Sequence, residues 1–178
     1  MMHRHLLYSH ILVVSYIITG WYIGHILDGK WMPSNSNLQL NFIDIFLFNF
    51  KSIFVLGMLS LLGPVGLLSI LVLAIDTGAG IARIESYYSV PTSVILKGLL
   101  PHGIGELFVI SVINSHALKV TKYWTDYFQN KSTVAPTKFM LREIEKLKNS
   151  LALSIPVLLI SAYIETKFSL NYFYKLRR

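Results

Sequence analysis

Residues 52–75 form one continuous apolar run, interrupted only by Gly63-Pro64-Val65-Gly66, and comparable runs cover 6–27, 102–120 and 151–168. About 20 such residues cross the ~30 Å hydrocarbon core of a bilayer as a helix. Inside that core every backbone donor and acceptor needs a partner, and a helix supplies one from its own segment. The runs therefore predict an all-α, multi-pass bundle forming a single membrane domain over 1–178, with spans at about 6–27, 41–62, 64–84, 102–120 and 151–168. Only 14% of residues are charged and the mean hydropathy is +0.54, which excludes the apolar core and charged surface of a soluble domain. The chain has no cysteine, so disulfides, thiolate metal sites and cysteine nucleophiles are excluded. Its net charge of +7 comes from basic residues that flank the apolar runs, as membrane anchoring requires. No basic-aromatic platform is present, and no nucleic-acid partner is expected.

The first run carries Tyr8, Tyr16, Trp21 and Tyr22 and is too long for a signal peptide, so it reads as a retained span. Residues 28–40, with Gly29, Pro33, Ser34, Asn35, Ser36 and Asn37, read as a loop. The stretch 41–84 fits either one kinked span or two spans joined at Gly63-Pro64; Gly-Pro is turn chemistry, which favours two. In that reading Asp44, Asn49, Lys51, Asp76 and Arg83 lie toward the bundle interior or the interfaces. Small residues at Gly57, Ser60, Gly63 and Gly66, and at Gly78, Ala79, Gly80 and Ala82, allow close helix packing, either within the chain or in a homodimer. Residues 85–97 read as a polar interlude, and Pro101 as a break between a short apolar piece and the span at 102–120.

Residues 121–149 form the one long polar connection, with Lys122, Lys131, Lys138, Arg142, Lys146 and Lys148. Met140, Ile144, Leu147 and Leu151 at helical spacing predict an interfacial amphipathic helix over about 136–149. The positive-inside tendency places this connection in the cytoplasm. Five crossings then put the N-terminus there too and the basic tail at 171–178 outside; a re-entrant His102 segment would reverse the tail. The expected location is the plasma membrane, in contact with lipid.

The segment Leu100-Pro101-His102-Gly103-Ile104-Gly105-Glu106 sets an imidazole and a carboxylate at i and i+4, one face of a helix. Charges within a span face the bundle interior and pair, so His102, Glu106 and Glu165 form the leading constellation, with Asp76 a fourth member of a structural polar cluster. Three readings stay open. The groups clamp helices together by hydrogen bonds; His102, Glu106 and Glu165 hold a metal such as zinc, which takes nitrogen and carboxylate ligands; or they form a proton or ligand site. In the metal reading Glu106 is the candidate catalytic residue, a third ligand or general base. His116 shares the face of His102 at about 21 Å by helical rise, too far for one metal. His25, Arg83 and Glu85 read as interfacial, and His3, His5 and His10 as solvated. No nucleotide-binding motif or activated serine is visible, so any ATPase is a separate chain.

The run Leu56-Gly57 through Gly63-Pro64, then Gly78 and Gly80, then Leu100-Pro101-His102-Gly103-Ile104 with Glu106-Leu107, and last Ser161-Ala162-Tyr163-Ile164-Glu165, resembles the stage II sporulation protein M-like membrane family over about 41–166. The resemblance implies a bacterial helical bundle of about five spans. It also implies membrane partners: envelope hydrolases in sporulation, or the ATPase or permease of exporters, including those for bacteriocin peptides. A non-enzymatic subunit of a peptide-export or envelope-remodelling machine is the expected function. A metal-dependent intramembrane hydrolase or peptide-maturation enzyme is the alternative.

Overall fold

Each apolar run winds into a helix, and the turn residues between runs decide where the helices stop. The computed structural model describes residues 2–26, 41–89, 91–169 and 172. They form α1 (Met2–Ile26), α2 (Phe42–Ser60), α3 (Pro64–Tyr88), α4 (Thr92–Phe128) and α5 (Pro136–Ile164), the last continued by a π-helical turn, Glu165–Ser169. No strand occurs among the described residues. All five helices are long and apolar enough to cross a membrane, and the protein is an all-helical membrane protein. The expected loop at 28–40, the side chains of His3 and His5, and the tail at 171–178 apart from Tyr172 lie outside the described residues.

Residues 41–84 make two helices. Gly63 sits at φ +60°, a conformation that costs glycine little, and Pro64 opens α3 at the position where its missing N–H is not needed. α2 therefore ends at Ser60 and the chain reverses within three residues. At the far end of α2, Asn41 caps the helix by accepting a hydrogen bond from the Asp44 amide at 3.0 Å.

Helices α1 and α3 run parallel with backbones in direct contact. A Cβ on Gly20 would collide with the Ile75 carbonyl, and one on Gly78 with the Ile17 carbonyl; Gly24 meets Ala79 and Ala82. Small residues let helices approach this closely, which matters in lipid, where no hydrophobic force distinguishes a neighbouring helix from acyl chains. α4 runs antiparallel to α1, with the Ser9 hydroxyl donating to the Ser111 carbonyl at 2.5 Å. α5 returns antiparallel to α4: Tyr123 stacks on Phe139 at 3.7 Å between ring centroids at one end, and His102 meets Ser169 at the other. Val13, Ile53, Ile70, Val109, Ile113 and Leu158 fill the centre.

Two expectations are corrected. Pro101 does not break α4, which starts earlier, at Thr92, and passes through the proline as one 37-residue helix. A proline removes one backbone bond, whereas a break in lipid would expose several backbone groups, so continuity costs less. The separate interfacial helix over 136–149 is likewise absent: these residues are the first turns of α5. The buried stripe there is Phe139, Glu143 and Leu147, turned onto α4, while Ile144 is exposed. α4 spans about 55 Å and α5 about 43 Å. Because Gly63 in the α2–α3 turn packs against Thr121, the α4–α5 hairpin projects beyond that turn. Pro101 faces outward, so Pro101→Ala is expected to leave α4 in place and stabilise the protein by on the order of 1 kcal/mol, below the full interior penalty of ~3 kcal/mol. Thermal unfolding in detergent would read this, and a lost fold would show the proline to be required.

Candidate functional site

The polar site lies where α2, α4 and α5 converge, nearer the end of the bundle opposite the α2–α3 turn. Asn49 is seven residues into α2 from Phe42, a depth of about 10 Å by helical rise. Its Nδ2 donates to Glu106 Oε1 at 2.5 Å. One turn away along α4, the buried His102 shares a 2.8 Å hydrogen bond, through Nδ1, with Ser169 Oγ. Ser169 reaches it because the last turn of α5 widens to π-helical geometry, a local expansion that often marks functional positions. Between these two contacts α4 and α5 are in close approach at Gly105, where a Cβ would strike Ser161 Oγ. Glu165 is an electrostatic neighbour of Glu106 across the same seam.

The structure brings His102, Glu106 and Glu165 into one region but gives each a different surrounding. Asp76 stands apart: its side chain is 70% exposed on the outside of α3, where Arg83 Nη2 reaches Oδ1 at 3.1 Å. Among the described residues no three His, Asp or Glu side chains converge as a metal would need. His102 spends Nδ1 on a serine and Glu106 accepts from an amide.

The family model for stage II sporulation protein M matches residues 9–170. The chain belongs to that family. No curated protein and no solved structure matches it. The stage II sporulation protein M match takes in all five helices, from Ser9 in α1 to beyond the π-helical turn, and so contains Asn49, His102, Glu106, Glu165 and Ser169.

Two further buried carboxylates tie helices together in this family member: Glu85, which sequence reads as interfacial, and Glu143, which sequence does not single out. Glu85 is buried, and its Oε2 takes 2.8 Å contacts from Trp21 Nε1 and His25 Nε2, tying α1 to α3. Glu143, 1% exposed, lies 3.4 Å from His116 Nδ1 and accepts from Lys146 Nζ at 2.7 Å, while His116 Nε2 and Ser150 Oγ are 3.0 Å apart. One sequence signal for the second was present. Glu143 is three residues before Lys146 and in the 139/143/147 register of the buried stripe.

Proposed function

We propose that this chain is a non-enzymatic subunit of a peptide-export or envelope-remodelling machine in the bacterial plasma membrane, and that the Asn49, His102, Glu106, Glu165 site holds its helices in register. Family membership supports the membrane-machine reading. The observation that carries the structural role is that His102 and Glu106 are each engaged by a residue of another element, Ser169 and Asn49. Lys122, Lys131, Lys138, Arg142 and Lys146 gather at the end that also holds the start of α1, so the positive-inside tendency puts that end and the N-terminus in the cytoplasm. The projecting α4–α5 hairpin is then the part an exporter ATPase would reach, and the end of α5 faces the envelope and its hydrolases.

The test separates holding from catalysis. Glu106→Gln retains an acceptor for Asn49 and should cost about 1 kcal/mol, whereas Glu106→Ala leaves the amide unpaired and should cost about 2–3 kcal/mol. Unfolding titrations in detergent read both. Zinc bound at one equivalent per chain after purification without chelators, and lost in Glu106→Gln with stability unchanged, would refute the holding role and favour the hydrolase alternative.

A further inference from the structure

A cleft of about 610 Å³ opens on the outer surface between α2 and α3, lined by Phe48, Lys51, Ser52, Val55, Val72 and Asp76 among others. Lys51 is the tenth of the 19 residues of α2, and Asp76 the thirteenth of the 25 of α3. Each is thus the central residue of a helix that spans the hydrocarbon. Lys51 is about 13.5 Å by helical rise from either end of α2, which leaves its ammonium far from both water interfaces. Its side chain is exposed, and no ion pair among the described residues reaches it. Asp76 has Arg83 on Oδ1, while the carboxylate stays largely exposed. A charged side chain at this depth turns to the bundle interior or to a partner. Both stay largely exposed, and among the described residues the bundle supplies no counter-charge to Lys51.

We infer that the α2–α3 face is the interface of a homodimer in which Lys51 of each copy pairs with Asp76 of the other. Charge complementarity selects a second copy. Lys51 lies 12 residues before Gly63 and Asp76 lies 13 after it, so the antiparallel hairpin holds both charges at one depth. Two copies inserted in the same direction are related by a twofold axis along the membrane normal, which preserves depth. An isologous contact about that axis faces residue i with j and j with i. It therefore forms two equivalent ion pairs and covers the cation and the anion together. Phe48, Val55 and Val72, each substantially exposed in the single chain, supply the surrounding apolar contact. Of the small residues that sequence offers as a dimer seam, Gly78 is consumed against α1 and Gly57 against Leu147 and Leu151, while Gly80 stays open.

The experiment uses the full chain in phosphatidylcholine–phosphatidylglycerol vesicles, with donor- and acceptor-labelled copies and energy transfer read as lipid dilutes the protein. Wild type should show saturable transfer with a dimer endpoint. Lys51→Asp alone faces two carboxylates with two carboxylates, and Asp76→Lys alone faces two ammoniums with two ammoniums. Each should weaken self-association at least about tenfold, equivalent to about 1.4 kcal/mol. Mixing the two variants recreates opposite charges at both contacts and should restore transfer toward the wild-type level, which also shows that both variants are folded. A monomeric wild type, single variants that associate as wild type does, or a mixture that fails to recover would each overturn the homodimer; the last would mark the cleft as the seat of a different transmembrane helix. None of these outcomes touches the stability measurements that test the holding role of Glu106.

Discussion

Gly78→Leu should yield little or no folded protein. A Cβ at this position would run into the Ile17 carbonyl and lie 2.6 Å from the Trp21 amide nitrogen, and one at Gly20 would meet the Ile75 carbonyl. In both cases the obstacle is backbone, which cannot rotate aside as a side chain can. Helices α1 and α3 would have to separate along their length, and the contacts from Trp21 and His25 to Glu85 would open with them. Overpacking costs 1–3 kcal/mol where side chains yield; here a loss well above ~3 kcal/mol is expected, enough to exhaust the stability of a small domain when added to the lost polar contacts. Gly80→Leu and Gly103→Leu are the controls, because a Cβ at either meets nothing within 4 Å. Size-exclusion profile and protease resistance in detergent would separate the two classes. A Gly78→Leu protein that behaves like Gly80→Leu would show that the α1–α3 seam is not the tight contact described.

The control at Gly103 also marks what sequence could and could not say about the candidate site. Within Pro101-His102-Gly103-Ile104-Gly105-Glu106 the i, i+4 spacing of His102 and Glu106 is a property of one helix, and both side chains do face the bundle. The two glycines look alike in sequence, yet Gly105 is pressed against Ser161 and Gly103 faces open space. That difference is set by where α5 lies, which no local pattern encodes. The same holds for partners: Asn49 and Ser169 are distant in sequence and meet Glu106 and His102 only through the crossing of α2 and the widened end of α5 over α4. A charge in an apolar run is expected to turn inward, which groups Asp76 with the site; α3 instead packs Gly78, Ala79 and Ala82 on α1 and turns Asp76 out. The number of spans was legible because it depends on run length and on Gly63-Pro64, both local. Pro101 reads as a break from its behaviour in water, whereas in lipid the cost of exposing backbone keeps α4 continuous.

Lys146→Met should destabilise the protein more than removal of the carboxylate that Lys146 serves. Glu143 is 1% exposed, and its formal counter-charges come from Lys146 at 2.7 Å and Arg142 at 3.8 Å, with His116 at 3.4 Å. Removing one partner of a buried pair costs about 3–5 kcal/mol because the other charge remains desolvated. Lys146 is itself 46% exposed, so part of its interaction is screened and about 2–3 kcal/mol is the expected loss. Glu143→Leu releases Lys146 and Arg142 to water, leaves His116 its contact with Ser150, and places an aliphatic side chain in the stripe formed by Phe139 and Leu147. It should therefore cost less, and the Glu143→Leu, Lys146→Met double variant should be more stable than Lys146→Met alone. Unfolding free energies of the four proteins in one detergent close the cycle. Strict additivity, or a Lys146→Met protein within ~0.5 kcal/mol of wild type, would show that the buried carboxylate does not depend on its lysine. A cycle with the predicted sign would make Glu143 a charge kept in the α4–α5 hairpin against the preference of stability for an apolar residue. The hairpin carrying it is the segment that projects beyond the α2–α3 turn.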